Sequence, residues 1–327
     1  MDENVILEQV AETGRRLLEC GLVARTWGNF SARLDETHFA VTPSGLGYEQ
    51  MEAKDIVRFC MTDGSFEGTR KPSSEKGIHA AAYRLFPEVG FVIHTHQPYA
   101  TALGLTAPGD LQLTAEERAA LGGVAWAEYG LPGTKKLKNA VAAALETGAH
   151  TVLMRHHGAL ICGTDQDDAL RRAMLLETVC RRSWRCGVPI PARQEAAELP
   201  GRVRELFPDA VIEDGDAARA WSALKRPLRA QLDDAAQMIG ARIPVAKDAR
   251  ELQVLLWNYA AVFVPGMGAV VCGETADDAS ALKMLTDKAA IAALHTRALK
   301  SDAVLSRFDC ALMRQVYRLK YSKKKDG

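Results

Sequence analysis

The chain has 327 residues, 41 Lys+Arg balanced against 41 Asp+Glu, and 47% hydrophobic residues. This profile suits a soluble globular protein of one large or two ordinary domains, without a global field to attract nucleic acid or an anionic membrane. No apolar run is long enough to span a bilayer, the opening Met1-Asp2-Glu3-Asn4 lacks the basic start of a signal peptide, and a cytoplasmic location is expected.

Apolar residues at helical spacing predict a first helix from Val5, with Gly21 as its stop. A turn-rich segment follows at Trp27-Gly28-Asn29-Phe30-Ser31, then short strands around Phe30 to Leu34, Phe39 to Thr42 and Ile56 to Met61. Pro72-Ser73-Ser74 opens a helix running through His79, Ala82 and Leu85, with serine as a favoured N-cap. Phe91-Val92-Ile93-His94-Thr95-His96 reads as a buried strand. Because residues i and i+2 of a strand share a face, His94 and His96 point at one spot. They are either a hydrogen-bonded pair or two ligands for a divalent metal. Pro98 opens another helix. The segment from Thr106 to Tyr129 reads as loops without a recognisable motif. Strands at Thr151 to Met154 and Ala159 to Cys162 flank Arg155-His156-His157-Gly158, and a long helix runs from Asp167 to about Cys186. The seven cysteines are scattered and never spaced CxxC, as in a protein with reduced, packed thiols. Lys320-Tyr321-Ser322-Lys323-Lys324-Lys325 reads as a solvated tail.

Prolines and small residues cluster near Pro189 to Pro200, and the expected domains are 1–195 and 196–327. An internal echo crosses that boundary. Val152–Ala169 aligns without a gap with Val262–Ala279, and each copy leads into a long helix. The second copy keeps the glycine and the apolar strand but carries Met267 where the first has His157. The scaffold does not require histidine there, which marks His157 as functional. The second half has no HxH, so it is expected to be a degenerate module without a metal site.

Three turns could hold an anion with donors alone: Gly28-Asn29, Ser44-Gly45 and Ser73-Ser74. Taken singly, each reads as an ordinary polar turn. The sequential motifs Trp27-Gly28-Asn29-Phe30-Ser31, Thr42-Pro43-Ser44-Gly45, Pro72-Ser73-Ser74-Glu75, His94-Thr95-His96 and His157-Gly158 together resemble the class II aldolase/adducin family, over residues 1 to about 190. The resemblance implies a three-layer α/β/α fold with a central, mostly antiparallel sheet, here followed by a partial degenerate repeat. It implies His94, His96 and His157 as ligands of a divalent ion, Zn²⁺ before Mn²⁺, Co²⁺ or Ni²⁺. In the family that ion binds a ketose phosphate and stabilises the enediolate left by C–C cleavage. It places the substrate phosphate among Gly28, Asn29, Ser44, Gly45, Ser73 and Ser74, with Lys71 near in sequence.

By the same resemblance Glu75 shuttles a proton beside the metal, and Tyr129 protonates the aldehyde fragment from a neighbouring subunit. Family epimerases usually carry aspartate at the Glu75 position, so glutamate favours aldol chemistry. Glu128 and Pro132 around Tyr129 depart from the family pattern. His79 and His150 read as surface or core histidines. The alternatives are a 4-epimerase, decarboxylase or dehydratase on the same scaffold, or a non-catalytic adducin-like assembly protein. Family aldolases are tetramers, and a two-module chain could substitute a dimer. The expected partners are a phosphorylated small molecule and further copies of the chain. On this reading His157→Ala abolishes binding of a divalent ion, whereas Met267→Ala leaves it intact. Elemental analysis of the two purified variants checks this, and equal loss from both would refute the assignment.

Overall fold

A computed structural model describes residues 2–193 and 198–321, and the chain divides into two compact units, residues 1–183 and 184–327. The join expected at residue 195 and most of the basic tail lie outside the described residues. Among the described residues no helix is long and apolar enough to cross a membrane.

The first unit runs α1 (Glu3–Glu19), β1 (Asn29–Arg33), β2 (His38–Val41), β3 (Val57–Cys60), β4 (Phe66–Glu67), α2 (Lys76–Leu85), β5 (Phe91–Thr95), α3 (Pro98–Leu103) and α4 (Ala115–Ala120). It continues with β6 (Val124–Ala127), α5 (Lys135–Leu145), β7 (Thr151–Met154), β8 (Gly158–Gly163) and α6 (Gln166–Ser183). Its sheet has the order β4-β3-β2-β1-β5-β8-β7-β6. Every pairing is antiparallel except β6 with β7. Strand β5 lies inside this sheet and is buried along its whole length, which explains its unbroken apolar approach to His94.

Helices cover both faces of the sheet. On one, Val92, Leu160 and Cys162 pack with Ile78 and Ala82 of α2 and Leu137 and Val141 of α5. On the other lie α1, α3 and α6, with Val10, Leu17, Leu170 and Leu176 buried. Each such side chain contributes about 1.5–3 kcal/mol by leaving water. The segment from Thr106 to Tyr129 is not wholly loop, as its sequence suggested. It holds α4, whose Thr114 and Glu117 form a reciprocal capping box, and β6. The Thr-x-x-Glu signal is legible in the sequence. The edge strand is harder to see, being four residues long, alanine-rich and only partly buried.

The second unit runs α7 (Gly201–Leu206), β9 (Ala210–Glu213), α8 (Asp216–Ala223), β10 (Leu228–Arg229), α9 (Asp233–Met238), β11 (Arg242–Ile243) and α10 (Ala249–Leu256). It ends with β12 (Ala261–Val264), β13 (Gly268–Cys272), α11 (Ala276–Ala298) and α12 (Arg307–Tyr321). Its antiparallel sheet β12-β13-β9 repeats the β7-β8-β5 part of the first sheet. Both hairpins pair their last and first residues in the same register, Met154 with Gly158 and Val264 with Gly268.

The correspondence extends to atomic detail. A Cβ on Gly158 would overlap the carbonyl oxygen of Thr95, and one on Gly268 that of Glu213. Glu177 of α6 accepts the backbone N–H groups of Tyr99 and Ala100 at the start of α3. Asp287, at the equivalent point of α11, accepts that of Ala218 in α8. Since Thr95 faces Ala159 and Glu213 faces Ala269, the register puts Ile212 in the place of His94 and Asp214 after Glu213 as His96 follows Thr95. Met267 completes the set in the place of His157. The repeat retains the scaffold with isoleucine, aspartate and methionine at the three histidine positions.

Glu213 is 4% exposed. Burial, reinforced by the charge of Asp287, raises its carboxyl from an ordinary 4.5 to about 7, against the hydrogen bond from the Gly215 N–H. Below the unfolded value both states are protonated. As pH rises from 4.5 the unfolded chain releases this proton first, so the folded state loses stability until Glu213 itself ionises at about 7. Glu213→Gln should flatten this decline. Denaturant midpoints of the full chain across that window provide the check, and identical slopes in both proteins would reject it.

Candidate metal centre at the end of strand β5

Three backbone features bring the histidines together. Strand β5 carries His94, with His96 just beyond its end. The β7–β8 turn contains His156 in the left-handed region (φ 67°) and closes with the N–H of His157 on the carbonyl of Met154. Gly158, lacking a Cβ, lets the start of β8 press against Thr95. The ring centroids of His94, His96 and His157 then lie 4.7–4.9 Å apart. One nitrogen from each falls within 4.8 Å of the others.

The Nδ1 of His94 is 2.9 Å from the carbonyl oxygen of Ala159, to which it donates. Its Nε2 is therefore the nitrogen turned towards the cluster, 3.1 Å from Nε2 of His96. Glu75 closes the group, with Oε2 3.2 Å from Nε2 of His94 and Oε1 3.0 Å from Nε2 of His157. Burial opposes ionisation of this carboxyl, but the His157 and His94 imidazoles outweigh it and hold its pKa well below the ordinary value. Three imidazole nitrogens converging beside a carboxylate fit a divalent cation with a free coordination position. The carboxylate is placed to take or give a proton next to it.

Glu75 itself, rather than the expected serine, is the N-cap of α2, and its side chain makes no capping bond. Ser73 supplies the local bond instead, its Oγ accepting the Glu75 N–H at 3.2 Å. This leaves the carboxylate free to turn towards the histidines.

The three expected anion-binding turns are contiguous. Phe30 and Thr42 exchange hydrogen bonds, Pro43 bridges Pro72, the Ser44 N–H donates to the carbonyl of Lys71, and the Ser73 N–H donates to that of Thr42. The backbone N–H groups of Ser44 and Ser73 are therefore used within the protein. An anion there would meet the exposed Ser44 and Ser74 side chains and neighbouring Gly45 instead. Gly28 (φ 101°) passes so close to β5 that a Cβ would lie 2.5 Å from the carbonyl oxygen of His94.

Asn29 departs from the expected exposed turn. It is buried in β1 opposite His94, and its amide is engaged by Glu75 and His79. His79 is a core residue that the sequence reading did not connect to Glu75, although the two are four residues apart around the start of α2. Tyr129 packs edge-on against His156, with ring centroids 5.0 Å apart, and Lys136 lies over its ring. His150 pairs with Glu88 and stacks on Phe86.

The family profile described as "Class II Aldolase and Adducin N-terminal domain" matches residues 8–184. Among solved structures, YgbL from Klebsiella pneumoniae, described as a candidate aldolase/epimerase/decarboxylase, is 25% identical. It aligns with 56% of this chain and 89% of its own at a TM-score of 0.51. The Escherichia coli YgbL, described in the same words, is 24% identical over 56% of this chain and 89% of its own, with a TM-score of 0.52. An L-fuculose 1-phosphate aldolase is 31% identical over 54% of this chain and 84% of its own, with a TM-score of 0.49. With the family profile spanning more than half of the sequence, the chain belongs to the class II aldolase/adducin family.

Proposed function

We propose that the first unit is a metal-dependent aldolase that cleaves or forms a small phosphorylated ketose. The observation that carries this reading is the Glu75 carboxylate lying within 3.0–3.2 Å of both His94 and His157 Nε2 atoms. His94, His96 and His157 would hold the ion, Zn²⁺ by preference, with Mn²⁺, Co²⁺ or Ni²⁺ also compatible with imidazole. When bound, the ion supplies Lewis-acid polarisation of the ketose carbonyl.

In the cleavage direction the C–C bond breaks, an aldehyde leaves, and its electron pair stays on the ketone-phosphate fragment. In the synthetic direction the ionised Glu75 carboxylate takes a proton from that carbon, and in cleavage Glu75, having first gained a proton from solvent, gives it to that carbon. Tyr129 exchanges the proton on the oxygen of the aldehyde fragment, a role suited to an assembly in which sites form between copies of the chain. The hydroxyls of Ser44 and Ser74 and the Gly45 backbone meet the substrate phosphate.

The family also includes lyases and epimerases that share ligands and phosphate turns, and the YgbL relative is described across aldolase, epimerase and decarboxylase chemistry. Glutamate at position 75 supports the aldolase. Retention of three histidines and Glu75 weighs against a purely structural, adducin-like role, and the scattered free thiols suit a cytoplasmic setting. The full chain loaded with Zn²⁺ should join dihydroxyacetone phosphate to a simple aldehyde. Glu75→Gln should lower kcat by about 100-fold or more while retaining the ion. No C–C bond formation with any aldehyde at full metal occupancy would overturn the reading.

A further inference from the structure

A continuous chain of buried polar side chains ends on Glu75. Tyr83 Oη lies 2.8 Å from Ser31 Oγ, which lies 2.6 Å from His79 Nδ1. The other ring nitrogen, Nε2, lies 2.5 Å from Asn29 Oδ1, and Asn29 Nδ2 donates to Glu75 Oε2 at 3.1 Å. Ser31 and His79 are fully buried, and Tyr83 and Asn29 nearly so. Apolar side chains would fill this part of the core without the risk of an unsatisfied polar group, so the chain calls for a function.

The chain also has a direction, set by its last member. An ionised carboxylate can only accept, so Asn29 must turn its NH₂ towards Glu75 and its Oδ1 towards His79. His79 must then carry its proton on Nε2 and accept at Nδ1 from Ser31, which in turn accepts from Tyr83. Burial favours this neutral form, lowering the His79 pKa to about 3. Reversal of the Asn29 amide would bring Oδ1 against the carboxylate, and the Nε2–H of His79 prevents that reversal.

We propose that His79, acting through Asn29, is the positioning residue that holds the Glu75 carboxylate in line with His94 and His157, with Ser31 and Tyr83 fixing the His79 tautomer. The proposal rests on Glu75 being the proton-transfer group of the aldolase reading. It assigns Asn29 a task at the acid/base group that the anion-turn reading did not contain. Loss of orientation at a catalytic group acts on turnover rather than on substrate binding.

The test uses the full chain loaded with Zn²⁺ and two variants. His79→Leu removes the donor to Asn29, and His79→Gln returns an amide N–H to the Nε2 position. His79→Leu should lower kcat by about 10- to 100-fold, the range seen when such supporting partners are lost, with KM and bound metal little changed. His79→Gln should recover most of that loss. Equal loss in both variants would show that His79 serves packing alone and overturn the proposal. ¹⁵N-histidine NMR of the unsubstituted chain supplies a readout independent of activity and of whether the variants fold. A neutral Nε2–H tautomer upholds the relay and an Nδ1–H tautomer overturns it. If the parent protein forms no C–C bond with any aldehyde, the proposed reaction fails, and the tautomer alone decides the relay.

Discussion

The first unit depends on how closely β8 can approach the end of β5. Its first residue, Gly158, lies so near the Thr95 carbonyl that no side chain fits between the strands. This approach sets the β5–β8 register, and the register sets the distance between His94 and His157. The His94 Nδ1–H is spent on the carbonyl of Ala159 in β8, leaving Nε2 directed into the cluster. A wider spacing here would leave the same histidines in the sequence without bringing their nitrogens together.

Around that contact the molecule buries polar groups at considerable cost. A lone buried amide or hydroxyl without a partner loses about 1–3 kcal/mol on the scale of protein substitutions. Asn29, His79 and Ser31 avoid the loss by satisfying one another in series. The series ends on Glu75, whose Oε2 accepts from Asn29, while its second oxygen faces His157. Structural cost and chemical readiness are thus two descriptions of the same arrangement, as expected where preorganised polar groups are held in a core.

The parts of the site governed by local periodicity were legible in the sequence. The two-residue period of a strand pairs His94 with His96, and the internal repeat isolates His157 by substituting Met267. The assignment of Glu75 rested on its neighbours Ser73 and Ser74 and on family resemblance. Contacts between distant segments were not legible. Nothing near Asn29 reveals that its amide reaches Glu75, or that His79 approaches it from α2, because separate sheet and helix segments make these contacts. Edge strand β6 is short, alanine-rich and only partly buried, so it carries little periodic signal, whereas the capping box of α4 is legible in Thr114 and Glu117. In the second unit, similar-looking Val-Ile runs invite alignment of His94 with Glu213, but the strand pairing places Ile212 there instead.

The carboxylate that ties α3 to α6 has a wider consequence. Glu177 and Asp287 make the same joint in both halves, one beside a full histidine set and the other beside none. The joint belongs to the architecture, and the ligands are cargo that this architecture can carry or omit. A lineage holding two copies can therefore let one drift in chemistry without losing its shape. The second unit then serves as a record of what the fold alone requires: a glycine at the strand crossing, an acid at the helix joint, and no histidine.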